Sequence, residues 1–481
     1  MSSRRARASR RRAAAIACLA AAFAALAGTV VALSSNGRAA RAAVAAAGVA
    51  RGRAGGLGVG AARGRAGRVG AEAGAAEGLV PVGPLARGVA AATLRRRLAR
   101  ALEPAGADVG LLVESLSGSG VSGSGTEPLA ARNAARMFPP ASVEKLYTSA
   151  AALDLLGPGA RLKTTVLGAG TLSHGIWRGN LYLRGGGDPT LGDGSWNKEY
   201  ERGYGPTALE LAEQLERDGI RRVRGHIFAD DSLFDTDPGG PATHNRPDIP
   251  DYGGELGALV YDHGMTAPHM SAAVFTAHEL ALTMRSMGLQ VAAASRTART
   301  PEGAVPLASV SSPPLAVLLS LMNVPSDDLI ADMLAKQLGA RLEGHGTLAA
   351  GARVIAQTLA ARYGLTAVIH DGSGLDRADR TSPEQVVSLL RDIYGTRVGE
   401  VLAASLPVVG EQGTVTYIGA HTPAQGRCRA KTGTLDNVTN LAGYCSDRAG
   451  GRLAFAIMLV GPTNAQAVPL LSRAVAAIAA Y

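Results

Sequence analysis

The 481-residue chain is poor in the groups from which most enzyme sites are built, with three cysteines, nine histidines and 4% aromatic residues. No pair of histidines or cysteines stands at the spacing of a metal site. The G-x-S-x-G turn of the α/β-hydrolases is absent. Gly185-Gly186-Gly187 lacks the Lys-Ser/Thr that follows in a phosphate-binding loop. These absences argue against a zinc hydrolase, an α/β-hydrolase and a P-loop enzyme.

Acidic residues are almost missing from residues 1–93, which hold 14 arginines against Glu72 and Glu77, a local charge of +12. The rest of the chain holds 35 basic and 37 acidic side chains, a balance of −2, so the net charge of +10 comes from the tail. A fold that binds nucleic acid would carry its positive charge on the folded part, and we therefore expect no nucleic-acid partner. A basic tail suits an anionic membrane or wall polymer.

The N-terminus has the pattern of an export segment. Arginines between Arg4 and Arg12 precede an apolar run from Ala13 to Leu33, which is 21 residues long and could cross a bilayer. Ala25-Leu26-Ala27 is nevertheless a plausible cleavage site, so residues 1–36 are predicted to be a signal peptide or a membrane anchor. Either alternative places the folded part outside the cytoplasm.

Large apolar side chains are scarce in residues 37–90, where Ala, Gly and Arg dominate. Such a segment cannot bury enough surface to offset the entropy of ordering it. We therefore predict a disordered linker between the export segment and a folded body that begins near residue 91.

Two cysteines remain in that body, since Cys18 lies in the export segment. If Leu435–Val438 turns between two antiparallel strands, Cys428 and Cys445 stand directly opposite each other. An oxidising compartment would permit a disulfide between them, and two reduced, buried cysteines are the alternative.

Hydrophobic periodicity divides the body into helices and strands. Helical spacing is found at 94–102, 142–156, 277–287, 315–322, 329–338, 346–363, 382–394 and 465–480. Strand-like runs are 109–115, 120–124, 164–167, 180–184, 222–229, 272–276, 426–434, 440–446 and 453–460. We predict an α/β (α+β) fold with an antiparallel sheet flanked by helices. The body segments 91–164 and 286–481 would be separated by a β-rich inserted domain, residues 165–285.

Ser142 and Lys145 form the first candidate catalytic pair. They stand three residues apart at the start of a predicted helix, which places both side chains on one face. Serine attacks a carbonyl carbon only when a neighbouring group takes its proton, and a lysine shielded from water can do so. An N-cap serine followed by an exposed lysine is the structural alternative.

A second hydroxyl comes from the cluster Ser326-Asp327-Asp328, just before the predicted helix 329–338. Ser326 could relay a proton between a nucleophile, a lysine and a leaving amine. Serine and aspartate are also ordinary helix-capping residues, so this cluster is ambiguous by itself.

The third cluster is Lys431-Thr432-Gly433-Thr434, in a predicted strand. Lys431 and Gly433 share one face of that strand, and a glycine lets a substrate backbone approach closely. A lysine beside hydroxyl groups suits a terminal carboxylate. The alternative is an edge strand with a solvated lysine.

The three clusters follow the order of the S-x-x-K, S-x-N and K-T-G motifs of the serine penicillin-recognising enzymes. The chain most resembles the low-molecular-mass class C penicillin-binding proteins, the D-alanyl-D-alanine carboxypeptidase/endopeptidase family. The resemblance covers about residues 91–481 and extends to three more stretches, Gly186-Gly187-Asp188-Pro189-Thr190-Leu191, Asp371-Gly372-Ser373-Gly374-Leu375 and Leu441-Ala442-Gly443-Tyr444. It implies a β-lactamase/transpeptidase-like domain that is interrupted between the first two motifs.

The resemblance implies a serine D-Ala-D-Ala carboxypeptidase, and an endopeptidase in addition, that acts on peptidoglycan stem peptides. Such an enzyme is acylated by β-lactams and needs no metal or cofactor. Ser142 would be the nucleophile, Lys145 the general base, and Ser326 the proton relay to the departing D-Ala. Backbone N–H groups of Ser142 and Thr434 would form the oxyanion hole. The substrate-binding residues would be Asp328, Lys431, Thr432, Gly433 and Thr434.

Two departures from the motifs weigh on activity. Asp328 stands where the second motif has Asn, which removes an amide donor and adds a negative charge that favours the ammonium form of Lys145. Glu144 puts a carboxyl group beside the nucleophile, on a side of the helix that should face away from Lys145. A weakly active wall-binding or scaffolding protein therefore remains an alternative, and a β-lactamase is a second one.

Overall fold

The computed structural model describes residues 84–105, 108–116, 128–247, 254–292 and 296–481. The predicted export segment, most of the predicted linker and the predicted strand 120–124 lie outside these residues. Helix α1 (Pro84–Leu102) includes the last seven residues of the predicted linker 37–90. Within the described ranges, no helix combines the length and apolarity needed to cross a bilayer.

The central sheet is antiparallel and has five strands in the order β2-β1-β10-β9-β8. These strands are β1 (Val109–Ser115), β2 (Ala130–Arg132), β8 (Cys428–Leu435), β9 (Val438–Ser446) and β10 (Arg452–Val460). Leu435 pairs with Val438, so a two-residue turn joins β8 to β9, and Asn437 in that turn has a left-handed φ of 58°. Strand β8 therefore lies at one edge of the sheet.

Helices cover both faces of this sheet. On one face, Leu94 and Leu98 of α1 pack with Leu471 and Ile478 of the C-terminal helix α11 (Asn464–Ala479). The opposite face is covered by α2 (Lys145–Leu156), α6 (Leu315–Asn323), α7 (Asp328–Leu342), α8 (Leu348–Tyr363), α9 (Pro383–Ile393) and α10 (Arg397–Ser405). The predicted antiparallel sheet flanked by helices is confirmed.

A second sheet is formed by β3 (Lys163–Ser173), β4 (Ile176–Arg184), β5 (Arg222–Arg224), β6 (Ile227–Asp230) and β7 (Val305–Ser311). Its order is β5-β4-β3-β7, and β6 also pairs with β4. Three helices accompany it, namely α3 (Gly194–Glu199), α4 (Ala208–Arg217) and α5 (Ala272–Ser286). Strand β7 extends this sheet beyond residue 285, to Ser311.

The strand predicted at 272–276 is wrong, because these residues begin helix α5. The side chain of Ser271 accepts a hydrogen bond from the backbone N–H of Val274 and so caps the helix. The β-branched and aromatic residues Val274, Phe275 and Thr276 favour a strand locally, but tertiary packing and the cap decide for the helix.

Residues 163–311, the second-sheet segment, contact the helices of the body through their loops. Phe234, Leu256 and Val260 are buried in the same apolar cluster as Leu329 and Met333 of α7. The Nζ of Lys336, also in α7, donates to Asp235 at 2.6 Å. Residues 87–481 accordingly form one compact unit.

Cys428 and Cys445 lie directly opposite each other in the β8–β9 ladder and form a disulfide. This confirms the register predicted from the turn. Because the bridge closes a 17-residue separation, replacing both cysteines by alanine should lower the free energy of unfolding by about 3 kcal/mol. Urea unfolding of the two proteins measures this loss. Two titratable thiols in denatured, unreduced protein lacking Cys18 would contradict the bridge.

Candidate active site

Ser142 lies in a short 3-10 turn, Ala141–Glu144, that leads directly into α2. The turn is fixed from the sheet side, because the Nδ2 of Asn440 in β9 donates to the carbonyl oxygens of Pro139 and Pro140 at 2.9 and 2.8 Å. Ala141 has a left-handed φ of 47°, which an alanine adopts only when its surroundings enforce it. The hydroxyl group therefore occupies a held position at the N-terminal end of a buried helix.

Lys145 is fully buried, and its Nζ has three hydrogen-bond partners. It donates to Ser142 Oγ at 2.9 Å and to the carbonyl oxygen of Ser373 at 2.8 Å. The third partner is the Oδ1 of Asp328, with which it forms an ion pair. The structure thus brings Ser142, Lys145 and Asp328 together, and each hydrogen of an ammonium group would have an acceptor.

The second cluster divides into three roles at the start of α7. Ser326 has a left-handed φ of 70°, and its Oγ accepts a hydrogen bond from the Nζ of Lys431 at 2.7 Å. Asp327 caps the helix, accepting from the N–H of Ile330 at 2.8 Å. Asp328 is the first helical residue and reaches Lys145. The capping interpretation therefore holds for Asp327.

Strand β8 carries the third cluster along the site. Lys431 is fully buried and faces Ser326. A side chain at Gly433 would collide with the carbonyl oxygen of Pro140, so glycine is required where β8 packs against the Ser142 turn. The hydroxyl of Thr432 donates to Thr414 at 2.7 Å rather than to the other two clusters, and Thr434 is exposed.

Burial shifts the pKa values of Lys431 and Asp328, two charged groups near Lys145. Burial and the nearby charge of Lys145 lower the pKa of Lys431 well below its ordinary value. Burial also raises the pKa of Asp328, although Lys145 opposes this effect. Lys431 can therefore become a neutral amine, which would be able to exchange a proton with Ser326.

The loop 371–374 belongs to the site. Asp371 accepts hydrogen bonds from the backbone N–H groups of Ser373 at 2.9 Å and Gly374 at 2.6 Å, while the carbonyl oxygen of Ser373 binds Lys145. Gly374 has a φ of 83° and lies against the carbonyl oxygen of Ala141, where a side chain would collide. The hydrogen bonds of Asp371 thus fix the loop that supplies the Ser373 carbonyl oxygen to Lys145.

Sequence reasoning missed a polar group supplied by the second-sheet segment. The Nε2 of His263 lies 2.7 Å from the Oδ2 of Asp327. Burial lowers the pKa of His263, but the charge and hydrogen bond of Asp327 and the charges of Glu201 and Asp328 together outweigh it, and the pKa is raised. Burial and the charge of Asp327 raise the pKa of nearby Glu201 to about 7. In the sequence, the glycine after His263, Gly264, indicates a turn. No local pattern linked that turn to Asp327.

A known protein family matches most of the chain. The profile of the D-Ala-D-Ala carboxypeptidase 3 (S13) family matches residues 98–275 and 264–480, which include all three clusters. The chain belongs to this family. The resemblance to the D-alanyl-D-alanine carboxypeptidases is thereby confirmed, and the chain is a member of a peptidase family.

Several relatives align over most of the chain. A D-alanyl-D-alanine carboxypeptidase of Actinomadura sp. strain R39 is 27% identical over 416 residues, covering 69% of this chain and 75% of that protein. Carboxypeptidase DacB of Mycolicibacterium smegmatis is 30% identical over 360 residues, covering 69% and 74%. Penicillin binding protein 4 of Haemophilus influenzae shares the fold, with a TM-score of 0.64, 21% identity and coverage of 80% of this chain and 97% of that one.

Proposed function

We propose that this S13 family member is an exported serine D-Ala-D-Ala carboxypeptidase, with endopeptidase activity as an extension, that trims peptidoglycan stem peptides through an acyl-enzyme on Ser142. The observation that carries the proposal is the 2.9 Å contact between Ser142 Oγ and the buried Nζ of Lys145. A lysine at this distance can remove the hydroxyl proton as the oxygen attacks. The S13 membership supplies the class of reaction.

In the first step, Lys145 takes the proton of Ser142 while Oγ attacks the carbonyl carbon of the penultimate D-Ala. The peptide C–N bond then breaks, and the amine of the terminal D-Ala leaves with a proton relayed through Ser326. Lys431, 2.7 Å from Ser326 Oγ, is placed to return a proton to that hydroxyl. Water, or an amine for transpeptidation, then attacks the acyl-enzyme and regenerates Ser142.

Substrate binding would use strand β8. It is the last strand of the central sheet, so an extended peptide can add to its outer edge through main-chain hydrogen bonds. An approaching carboxylate favours the ammonium form of Lys431. This ammonium and the hydroxyl of Thr434 would then attract the terminal carboxylate. The N–H groups of Ser142 and Thr434 would bind the oxyanion, and losing one such donor typically costs about 3 kcal/mol.

The segments outside the candidate active site fit the same proposal. Residues 1–36 would export or anchor the protein, residues 37 to 83 would serve as a tether, and the catalytic body would act on the wall from outside the cytoplasm. The second-sheet segment would be an inserted domain that presents His263 to the site. The proposed partners are stem peptides as substrates and β-lactams as acylating inhibitors.

A weakly active wall-binding protein is the second candidate, and the ion pair between Lys145 and Asp328 favours it. A lysine held in the ammonium form by a carboxylate cannot accept a proton until it has lost one. The fold, the family and β-lactam recognition would all survive in such a protein, while turnover would be slow.

Incubation with a fluorescent penicillin and, separately, with a diacyl-D-Ala-D-Ala peptide tests the proposal. We expect one label per chain, located by mass spectrometry on the peptide that contains Ser142, together with release of D-alanine. Label without D-alanine release would favour the second candidate. Rapid turnover of penicillin, instead of a persistent adduct, would indicate a β-lactamase.

A further inference from the structure

Glu144 separates the nucleophile from the lysine in sequence and is fully buried. As predicted, its side chain turns away from Lys145, and it faces Asp371 and Asp379 in the loop that follows α8. One carboxyl oxygen from each of these three residues lies within 4.8 Å of the other two. Three acids are thus collected at a buried point behind the proposed active site.

Three carboxyl oxygens in this group receive no hydrogen bond from the described residues. Neither carboxyl oxygen of Glu144 receives a hydrogen bond from an N–H or O–H group of the described residues, and Oδ2 of Asp379 receives none either. Buried carboxylates without donors cost several kcal/mol each, so something must neutralise these oxygens. A cation and a proton are the two candidates.

A divalent cation fits this group poorly. Both oxygens of Asp371 already accept backbone N–H groups, those of Ser373, Gly374 and Asp376. Two oxygens of Glu144 and one of Asp379 remain, whereas calcium and magnesium take about six or more oxygen ligands. Since Glu144 and Asp379 are fully buried, water has no route to complete the shell. A shared proton needs only two oxygens.

The surrounding charges also favour a proton. Glu144 is faced by Asp371 and Asp379 from the loop, by Asp332 from α7 and by Tyr147 from α2. The loop also carries His370, whose backbone N–H and Nδ1 both contact Asp379 Oδ1, at 2.7 and 3.0 Å. Lys145 is a nearby ammonium group, and its charge acts on Asp371. An ionised Glu144 would therefore stand among like charges.

We propose that Glu144 is held as a neutral carboxylic acid that donates a hydrogen bond to Asp379 Oδ2, and that this acid–carboxylate pair positions the loop 371–374 against Lys145. The loop lies on the Ser142 turn at Gly374, whose Cα hydrogen points toward Ala141 and Glu144. Its Ser373 carbonyl oxygen then accepts from Lys145 Nζ at 2.8 Å. Glu144 is thus a positioning residue, and its effect on Lys145 rests on the proposed acyl-enzyme chemistry.

The pair has a defined pH dependence. Burial and the charges of Asp379 and Asp371 raise the pKa of Glu144 well above its ordinary value, and burial and the charge of Asp371 also raise the pKa of Asp379. The hydrogen bond between the two raises the pKa of Glu144 and lowers that of Asp379, which makes Glu144 the donor. Since both pKa values are raised on folding, the stability that the pair contributes is fully present below the unfolded carboxyl pKa. It is lost as pH rises through the raised values.

Glu144→Gln tests the proposal, because glutamine keeps a donor toward Asp379 and cannot ionise. Between pH 5 and pH 9, the Tm of the wild type should fall more steeply than that of Glu144→Gln. The infrared band of a protonated carboxyl group should weaken in the variant. The penicillin acylation rate of Glu144→Gln at pH 7 should stay within about threefold of the wild type, whereas Glu144→Leu, which lacks the donor, should lose about tenfold or more, the lower range for a displaced catalytic group.

Parallel Tm–pH curves for the wild type and Glu144→Gln would overturn the proposal. So would a stoichiometric metal ion in the purified wild type whose removal by EDTA lowers Tm. The Tm and infrared measurements need no catalytic activity, so they decide on the acid pair even if Ser142 proves not to be acylated. If Glu144→Leu does not fold, the comparison of Glu144→Gln with wild type still decides.

Discussion

Replacing Ser142 by alanine is expected to abolish covalent labelling by penicillin and to stop D-alanine release. No other hydroxyl is in contact with the Nζ of Lys145 in the described residues, so the base is left without a nucleophile to activate. Removing the serine nucleophile of a hydrolase typically costs on the order of 10⁶-fold in kcat. Gel fluorescence with labelled penicillin and a D-alanine assay measure the two losses.

Ser326→Ala provides the matched comparison, because it removes the other hydroxyl of the site. Ser326 bonds to Lys431 and not to Lys145, and the proposed relay affects the transfer of a proton rather than the bond to be formed. Labelling should therefore persist but slow by about 10²- to 10⁴-fold, the range for losing a proton-transfer group. Ser195→Ala, at an exposed site, should change neither the rate of labelling nor the rate of D-alanine release. Persistent label in Ser142→Ala would refute the assignment of the nucleophile.

Asp328→Asn is expected to accelerate acylation by about tenfold or more, because it removes a negative charge that favours the ammonium form of Lys145. In the structure, the carboxylate of Asp328 forms an ion pair with Lys145 and so stabilises the ammonium form, which cannot act as a base. Asparagine retains an acceptor oxygen for Lys145 and adds an amide donor that can bind the substrate carbonyl. The second-order rate of penicillin acylation at pH 7 is the measurement.

Asp327→Asn is the control for that substitution, since it neutralises the adjacent residue. Asparagine still caps a helix well, and Asp327 pairs with His263 rather than with Lys145. Its acylation rate should therefore change less than that of Asp328→Asn. Acylation that is unchanged or slower in Asp328→Asn would show that the carboxylate does not limit Lys145, and the weakly active alternative would lose its main support.

Local patterns in the sequence were sufficient to predict four of the five strands of the central sheet, all but the short β2, and most of its helices. The strand predicted at 109–115 is present as β1 with the same bounds, and the turn between β8 and β9 gave the pairing of Cys428 with Cys445. Such features depend on neighbours along the chain and on strict alternation, which the sequence contains directly. The S-x-x-K pair also follows from local spacing.

Contacts between distant segments could not be predicted in the same way. The Ser373 carbonyl on Lys145 joins residues 228 positions apart, and His263 approaches Asp327 from a turn in the second-sheet segment. Ser326 adopts a left-handed backbone that propensity does not favour in serine. Such strained or charged positions are stabilised by tertiary packing and therefore carry little local signal.

The apolar side chains of Phe234, Leu256 and Val260, and the imidazole of His263, make the second-sheet segment a structural part of the body. Deleting residues 163–311 would expose Leu329 and Met333 of α7. It would also remove the imidazole that balances the charge of Asp327. Swapping the segment between relatives would therefore require the start of α7 to be exchanged with it.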